Sequence, residues 1–434
     1  MRRPRLFVIL RRLWHNMYQA DRVHKKMRAA ERKIKMAKRV FLIVLDSAGV
    51  GYEPDAERFG DVGSDTFGTC IRSGRLSVPN MEKMGLYQIE GTSFERREAD
   101  AQGKIPGRGL PELGCCGKLQ EQSAGKDTTM GHWEIGGVIS PKPMPTYPDG
   151  FPQELLDEFA EKTGRGVICN EVGSGTEMIR KYGEEQMRTG KWIVYTSADS
   201  VFQIAAHEEV IPLEELYEGC RIAREMLTGD HAVGRVIARP YVGEAPNFTR
   251  TVNRHDFSLE PPKDTILDML KAAGKDVIGV GKIYDIFAGK GLTKTFPNEG
   301  NEKNMDVTIS LLDEDFEGLC FVNLVDFDMM YGHRNDVKGY TDALNAFDKR
   351  LDEFLPKMRK DDVLMITADH GCDPGFPGTD HTREYVPIFC CGGKVKDGVN
   401  LGTRASYADI AATIAEMFGI GYTGDGESFL GEIL

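Results

Sequence analysis

The sequence predicts an α/β protein in which a mostly parallel central sheet, covered by helices on both faces, is interrupted by a smaller α+β domain. Three observations lead to it: short runs that are apolar at every position and stop at an acidic residue, stretches of helical periodicity between those runs, and two proline-marked segments that bracket the middle of the chain. Runs apolar at each position suit strands buried on both faces of a parallel sheet, and their alternation with helices is the pattern of an open α/β sheet.

In chain order, residues 1–37 come first as a basic extension. They carry twelve Lys and Arg against Asp21 and Glu31, a balance of +10, which leaves −22 on residues 38–434 and −12 on the whole chain. Leu6, Leu10, Leu13, Met17, Ala20 and Met27 recur at roughly helical spacing among these charges. Two readings stay open: an amphipathic basic helix suited to an anionic surface, or translation from too early a start, with the functional chain beginning near Met36. No function is assigned to the extension. The acidic remainder argues against a nucleic-acid partner, because a phosphate backbone is held by basic surface. No apolar run approaches the roughly 18 residues of a membrane span, so no membrane partner is expected. Nine cysteines without a Cys-x-x-Cys pair or a secretory signal read as reduced thiols of a cytoplasmic protein.

Residues 38–141 open the core with a strand at 40–45 that ends at Asp46-Ser-Ala-Gly-Val-Gly51. Pro141, Pro143, Pro145 and Pro148 then mark an extended connection into residues 142–258, an inserted cap domain with helices near 152–162 and 213–227. After Pro261-Pro262, residues 259–434 return to the core. They supply a helix at 264–273 closed by Gly274, a strand at 276–281, a strand at 319–325 before Asp326-Phe-Asp328, and a helix at 336–357. A strand at 363–368 before Asp369-His370-Gly371, a strand at 387–391 and a helix at 407–418 closed by Gly419 complete it. In open α/β sheets the ligand site lies beyond the carboxyl ends of the strands, so Asp46, Asp328 and Asp369 are expected to converge.

Asp328-Met-Met-Tyr-Gly-His333, Asp369-His370 and Asp380-His381 bring carboxylates and imidazoles together, the ligand types of Zn²⁺, Mn²⁺ or Fe²⁺. With Asp46 the set holds three carboxylates and three imidazoles. Six ligands exceed one tetrahedral site and suit two cations about 3.5 to 4 Å apart, as in phosphoryl transfer. Taken alone, an Asp after a strand reads as a helix N-cap and a His as a satisfied polar residue. Three of the nine His beside or just after an Asp, two of them at strand ends, favour metal instead. The segment Gly125-Lys-Asp-Thr-Thr-Met-Gly-His-Trp-Glu134 has glycines that let backbone approach a phosphate. A Thr hydroxyl coordinated to a divalent cation becomes a usable nucleophile, which makes Thr128 the attacking group.

These residues resemble the phosphopentomutase family of the alkaline phosphatase superfamily. The resemblance rests on Phe41-Leu-Ile-Val-Leu-Asp-Ser-Ala-Gly-Val-Gly51, Gly125-Lys-Asp-Thr128 with Gly131-His-Trp-Glu134, Tyr195-Thr-Ser-Ala-Asp-Ser-Val-Phe-Gln203, Val325-Asp-Phe-Asp-Met-Met-Tyr-Gly-His-Arg334 and Thr367-Ala-Asp-His-Gly371. It spans residues 38–434, and its Gly-His-Trp-Glu and Asp-Phe-Asp-x-x-Tyr-Gly-His segments are not general phosphatase features.

The resemblance implies an alkaline-phosphatase-like core and an isomerase that interconverts ribose 1-phosphate and ribose 5-phosphate, and their 2-deoxy counterparts. It implies two Mn²⁺ ions, one on Asp46, Asp369 and His370, the other on Asp328, His333 and His381. Thr128 would carry the phosphoryl group, loaded by a sugar bisphosphate activator. Ser197, Asp199, Val201 and Ile237 would line the sugar, and Arg235 and Lys282 would hold phosphate. Arg239, four residues after Arg235, and the pair His132 and Trp133 are left without a firm role. One departure stands out: the family's hydroxyl residue before Gly131 is Met130 here, with Thr129 one place earlier as the alternative acceptor. Rival readings are another phosphohydrolase of the superfamily, a phosphoglycerate mutase, or a non-catalytic protein whose metals hold its fold.

Overall fold

The computed structural model describes residues 37–95, 97–99, 106–108, 110–197 and 199–434. Both readings of the basic extension concern residues outside these, save Ala37. In chain order the strands are β1 (Arg39–Leu45), the short ribbon β2 (Arg97–Ala99) and β3 (Pro106–Arg108), and β4 (Cys115–Leu119). The middle of the chain supplies β5 (Val167–Val172), β6 (Trp192–Thr196), β7 (Val201–His207), β8 (Arg235–Val242), β9 (Thr249–Arg250) and β10 (His255–Ser258). The last third adds β11 (Asp276–Val280), β12 (Lys294–Phe296), β13 (Gly318–Leu324), β14 (Asp362–Thr367), β15 (Val386–Gly392) and β16 (Val399–Arg404).

Eight strands form one sheet in the order β12-β11-β13-β1-β14-β15-β4-β16. Only β15 runs against its neighbours. β1 lies between β13 and β14, parallel to both, with Leu45 opposite Leu324 and Val44 opposite Thr367. That register decides where the acidic residues fall: Asp46, Asp328 and Asp369 follow the ends of three adjacent parallel strands, on one edge of the sheet.

Every residue of β1, β13 and β14 is buried, including Arg39. The sequence reading began the first strand one residue later, because an arginine breaks an apolar run. Arg39 is accommodated by a two-pronged contact with the buried Asp362, Nε to Oδ1 at 2.8 Å and Nη2 to Oδ2 at 2.6 Å. Its Nη1 donates to the carbonyls of Leu312 and Glu314. A buried guanidinium satisfied this way tolerates a site where an unpaired charge would not.

The expected helices form at Ile266–Ala272, capped by Thr265 and Asp268 in a capping box, at Val337–Phe354 and at Asp409–Phe418, the last closed by left-handed Gly419. The long helix ends earlier than its periodicity suggests and finishes as a 3₁₀ turn, Leu355–Lys357, because Pro356 cannot donate an intrahelical bond.

The middle of the chain builds a separate mixed sheet, ordered β10-β8-β7-β6-β5 with β9 also on β8. Helices Gln153–Thr163 and Leu213–Met226 bury one face, where Phe151, Phe159, Trp192 and Phe202 meet. A third helix, Gly175–Thr189, which the sequence reading did not find, packs Met178 and Ile179 on the other face against Tyr195 and Tyr241. The apolar core of the large sheet is built from residues 37–138 and 266–433, so the two sheets have separate cores.

Candidate active site

Asp46 leaves β1 into a turn in which Ser47 has a φ of 73°. That left-handed conformation costs energy for a residue other than glycine, and it aims the Ser47 N–H at Asp369 Oδ1, 3.0 Å away. Asp328 lies in a π-type turn, Phe327–Tyr331, that runs into a 3₁₀ turn, Gly332–Arg334, carrying His333. Asp369-His370-Gly371 follows β14, and Gly371 bridges to Thr382 beside His381. A side chain at Gly371 would meet Glu384 Oε1 at 2.5 Å, so the close passage of the His370 and His381 segments needs glycine there.

Three imidazoles are oriented alike. The Nδ1 atoms of His370, His333 and His381 lie 3.0, 2.7 and 2.9 Å from the carbonyls of Gly371, Thr379 and Lys126. A carbonyl only accepts, so each Nδ1 carries a proton and each Nε2 is the atom turned toward the carboxylates, the orientation usual for metal-binding histidines. His333 Nε2 is 3.1 Å from Asp328 Oδ2 and His381 Nε2 is 3.4 Å from Asp328 Oδ1. His370 Nε2 is 3.5 Å from Asp46 Oδ1 and 3.4 Å from Asp369 Oδ2.

Asp46 Oδ1, Asp328 Oδ1, Asp369 Oδ2 and His381 Nε2 are buried without a hydrogen-bond partner among the described residues. Leaving such atoms bare is costly, and their convergence fits a divalent cation better than it fits a packed core. Burial and then the Asp369 and Asp328 carboxylates push the Asp46 carboxyl well above its usual range. Burial lowers His370 to about 4. Burial also opposes charge on His381, yet Asp328 raises it to about 10.

Two sets of ligand atoms lie within 4.8 Å of one another: Asp328, His333 and His381, and Asp46, Asp328 and His370. The first is the trio implied by the resemblance. The second differs, with Asp328 standing between the two sets where Asp369 was expected. Asp369 Oδ1 accepts from the Ser47 N–H, and its Oδ2 lies 3.1 Å from His132 Nδ1.

Thr128 is the first residue of the helix Thr128–Ile135, whose N-cap Asp127 accepts from the N–H groups of Thr129 and Met130 at 3.0 and 3.1 Å. Thr128 Oγ1 lies 3.1 Å from His370 Nε2. The helix comes this close because Gly131 passes the Asp369 carbonyl, which a Cβ would meet at 2.1 Å. Met130 is buried, its sulfur packed under Gly125, so an apolar group fills the position where the family has a hydroxyl.

On the mid-chain sheet, Arg235 opens β8, 3.5 Å from Asp199 and from Asp256. Val201 pairs with Arg235 and Gln203 with Ile237 in the β7–β8 ladder. Val201 and Ile237 are buried but belong to neither apolar cluster of that sheet. Ser197, half-buried, follows β6. Lys282 precedes the short helix Ile283–Ile286 and acts on Asp46, lowering it against the burial that raises it. Arg235 likewise acts on Asp127, whose carboxyl is raised by burial. Arg235 on the mid-chain sheet and Lys282 beyond β11 therefore both act on groups of this site.

Arg383 was not singled out from the sequence. Buried two residues after His381, it donates to Glu121 Oε2 at 2.6 Å and to the carbonyls of Ser123 and Gly125 at 3.0 and 2.9 Å, fixing the loop that leads to Thr128. The mid-chain sheet also holds a cavity of about 320 Å³ lined by Arg239, Pro240, Arg250, Thr251 and Arg254. Arg250 and Arg254 carry no periodic signal in the sequence.

Among the described residues no helix is long and apolar enough to cross a membrane. The family model of the metalloenzyme superfamily matches residues 38–422. The phosphopentomutase of Lachnoclostridium phytofermentans is 54% identical over 397 residues, covering 92% of this chain and 99% of that one. Those of Caldanaerobacter subterraneus subsp. tengcongensis and Carboxydothermus hydrogenoformans are each 56% identical, covering 92% and 91% of this chain and 98% and 99% of theirs.

Proposed function

The chain belongs to the metalloenzyme superfamily and, within it, to the phosphopentomutases, and from that premise we propose that it interconverts ribose 1-phosphate and ribose 5-phosphate, and the 2-deoxy sugars, through phosphothreonine 128. The observation that carries this is the Thr128 hydroxyl 3.1 Å from His370 Nε2, at the convergence of four unpartnered ligand atoms. We take residues 38–141 and 259–434 as the catalytic core and 142–258 as its cap.

Two divalent cations, Mn²⁺ on the family's pattern, held by Asp46, Asp369 and His370 and by Asp328, His333 and His381, would offset charge on the transferring phosphoryl group and on the Thr128 oxygen. Asp328, standing between the two groups of ligands, favours two cations close together. A sugar bisphosphate loads Thr128. The phosphothreonine then gives its phosphoryl group to the free hydroxyl of a pentose monophosphate. The bond from phosphorus to Thr128 Oγ1 breaks, a bond to the sugar oxygen forms, and the sugar hydroxyl's proton passes to the freed Oγ1, to be given back to the departing sugar oxygen in the second transfer. The resulting 1,5-bisphosphate turns round and returns its other phosphate to Oγ1, which restores phosphothreonine and leaves the isomeric monophosphate.

Arg235 and Lys282 hold the phosphate that is not reacting, as charge-assisted donors. Ser197, Asp199, Val201 and Ile237 line the sugar. The cap excludes water, without which the same groups would hydrolyse the phosphothreonine. All nine cysteines are free, which supports a reducing, cytoplasmic setting.

The test follows ribose 5-phosphate formed from ribose 1-phosphate, with Mn²⁺ and a bisphosphate activator, while free phosphate is measured in parallel. Isomerisation with little phosphate release is expected. Phosphate release without isomerisation would make the chain a hydrolase, and neither signal would leave it a binding protein.

A further inference from the structure

His132 is fully buried one turn beyond Thr128, on the same helix, and its ring stacks on Phe321 with centroids 5.8 Å apart. Its Nδ1 lies 2.8 Å from the Thr128 carbonyl and 3.1 Å from Asp369 Oδ2. A carbonyl oxygen only accepts, so Nδ1 carries the proton. On the other side of the ring, Nε2 is 3.3 Å from Asn323 Nδ2. The same amide nitrogen lies 2.7 Å from Asp46 Oδ2. With Asp46 ionised, as a cation ligand is, a reversed amide would set oxygen against carboxylate, so the NH₂ points this way. One hydrogen goes to Asp46 and the other to His132 Nε2, which is therefore the acceptor.

One set of proton positions satisfies this whole path, from the Thr128 carbonyl through His132 and Asn323 to Asp46. It leaves Asp46 with Oδ2 occupied and Oδ1 bare, and Oδ1 is the atom that faces His370. Asn323 is buried one residue before the carboxyl end of β13, an otherwise apolar strand, where an amide is costly unless it is used.

We propose that His132 and Asn323 form a positioning relay that holds the Thr128 helix in register with Asp46 and Asp369. The relay rests on the reading of Thr128 as phosphoryl acceptor and of the two carboxylates as metal ligands. His132 reaches no substrate. It acts by fixing which oxygen of Asp46 is free and how far the acceptor helix stands from it, as partners behind metal ligands generally do.

The test is a double-mutant cycle on the full chain, using His132→Asn, Asn323→Ala and the double variant. His132→Asn removes the acceptor for Asn323 while an amide N–H can still reach the Thr128 carbonyl. Mn²⁺ binding to metal-stripped protein is read by calorimetry, and kcat and KM are read with ribose 1-phosphate. Each single change is expected to weaken Mn²⁺ binding and lower kcat by about 10- to 100-fold, with KM within about threefold of the parent. The double variant is expected to fall no more than about threefold below the weaker single, since one path is broken either way. Losses that multiply in the double variant would overturn the relay. So would unchanged Mn²⁺ affinity, or an effect confined to KM. If His132→Asn does not fold, as judged by circular dichroism, His132→Gln with Asn323→Ser completes the same cycle. Full turnover by Thr128→Ala would remove the acceptor assignment, while the Mn²⁺ affinities still test the relay by themselves.

Discussion

Asp328 Oδ1 and His381 Nε2 face each other at 3.4 Å, both buried and neither hydrogen-bonded among the described residues. They stand fifty-three positions apart in the chain, with β14 between them. With Asp328 also 3.1 Å from His333 and grouped with Asp46 and His370, this carboxylate is shared between both clusters of ligand atoms.

Asp328→Asn is therefore expected to weaken both cation sites, whereas His333→Ala weakens one. Calorimetric titration of the metal-stripped chain with Mn²⁺ should give two strong sites for the parent, none for Asp328→Asn and one for His333→Ala. Two intact sites in Asp328→Asn would show that the carboxylate is not shared.

Arg235→Ala is expected to lower kcat/KM for ribose 1-phosphate by about 10- to 100-fold, the worth of a hydrogen bond to a charged group. Most of the loss should lie in KM, because the guanidinium is assigned to the phosphate that does not react. Steady-state kinetics decide it; an unchanged KM with a fallen kcat would put Arg235 at the reacting phosphate instead.

One guanidinium, Arg383, serves two buried carboxylates, Glu53 and Glu121. Burial raises both, Glu53 to about 8 against the pull of Arg383 and Glu121 well above its usual range. A carboxyl raised on folding binds more protons in the folded state. Its contribution is full below about 4.5, the unfolded value, and is lost as pH rises through about 8. Urea unfolding at pH 6 and pH 9 should show the parent losing more stability across that interval than Glu53→Gln. Equal losses would mean that Glu53 is ionised throughout.

Asp362→Ala leaves Arg39 buried and unpaired at the end of the sheet away from the site. A cost of about 3 to 5 kcal/mol is expected, typical of breaking one partner of a buried pair. Denaturant unfolding measures it, and a change under about 1 kcal/mol would mean that the carbonyls of Leu312 and Glu314 suffice for Arg39.

The large sheet was legible because a strand buried on both faces cannot avoid being apolar at every position, and three such runs ended in Asp. The candidate ligands were legible for the same reason, since strand ends are where a parallel sheet exposes its loops. Asn323 was not, because a single amide within Leu319–Leu324 looks like an imperfection until Asp46 and His132 are seen on either side of it. The helix Gly175–Thr189 was missed because glycine and many charges mask its single apolar stripe, and Arg39 was cut from β1 because its neutralising Asp362 lies 323 residues away. The sharing of Asp328 between two clusters was not legible at all, since it depends on side-chain directions within a π-type turn.

The central claim is that Thr128 carries the phosphoryl group. Treating the full chain with Mn²⁺ and a pentose or hexose bisphosphate, then mapping phosphopeptides by mass spectrometry, tests it most directly. The account expects phosphate on Thr128, absent from Thr128→Ala, and phosphate on Thr129, or on neither residue in an active enzyme, would contradict it.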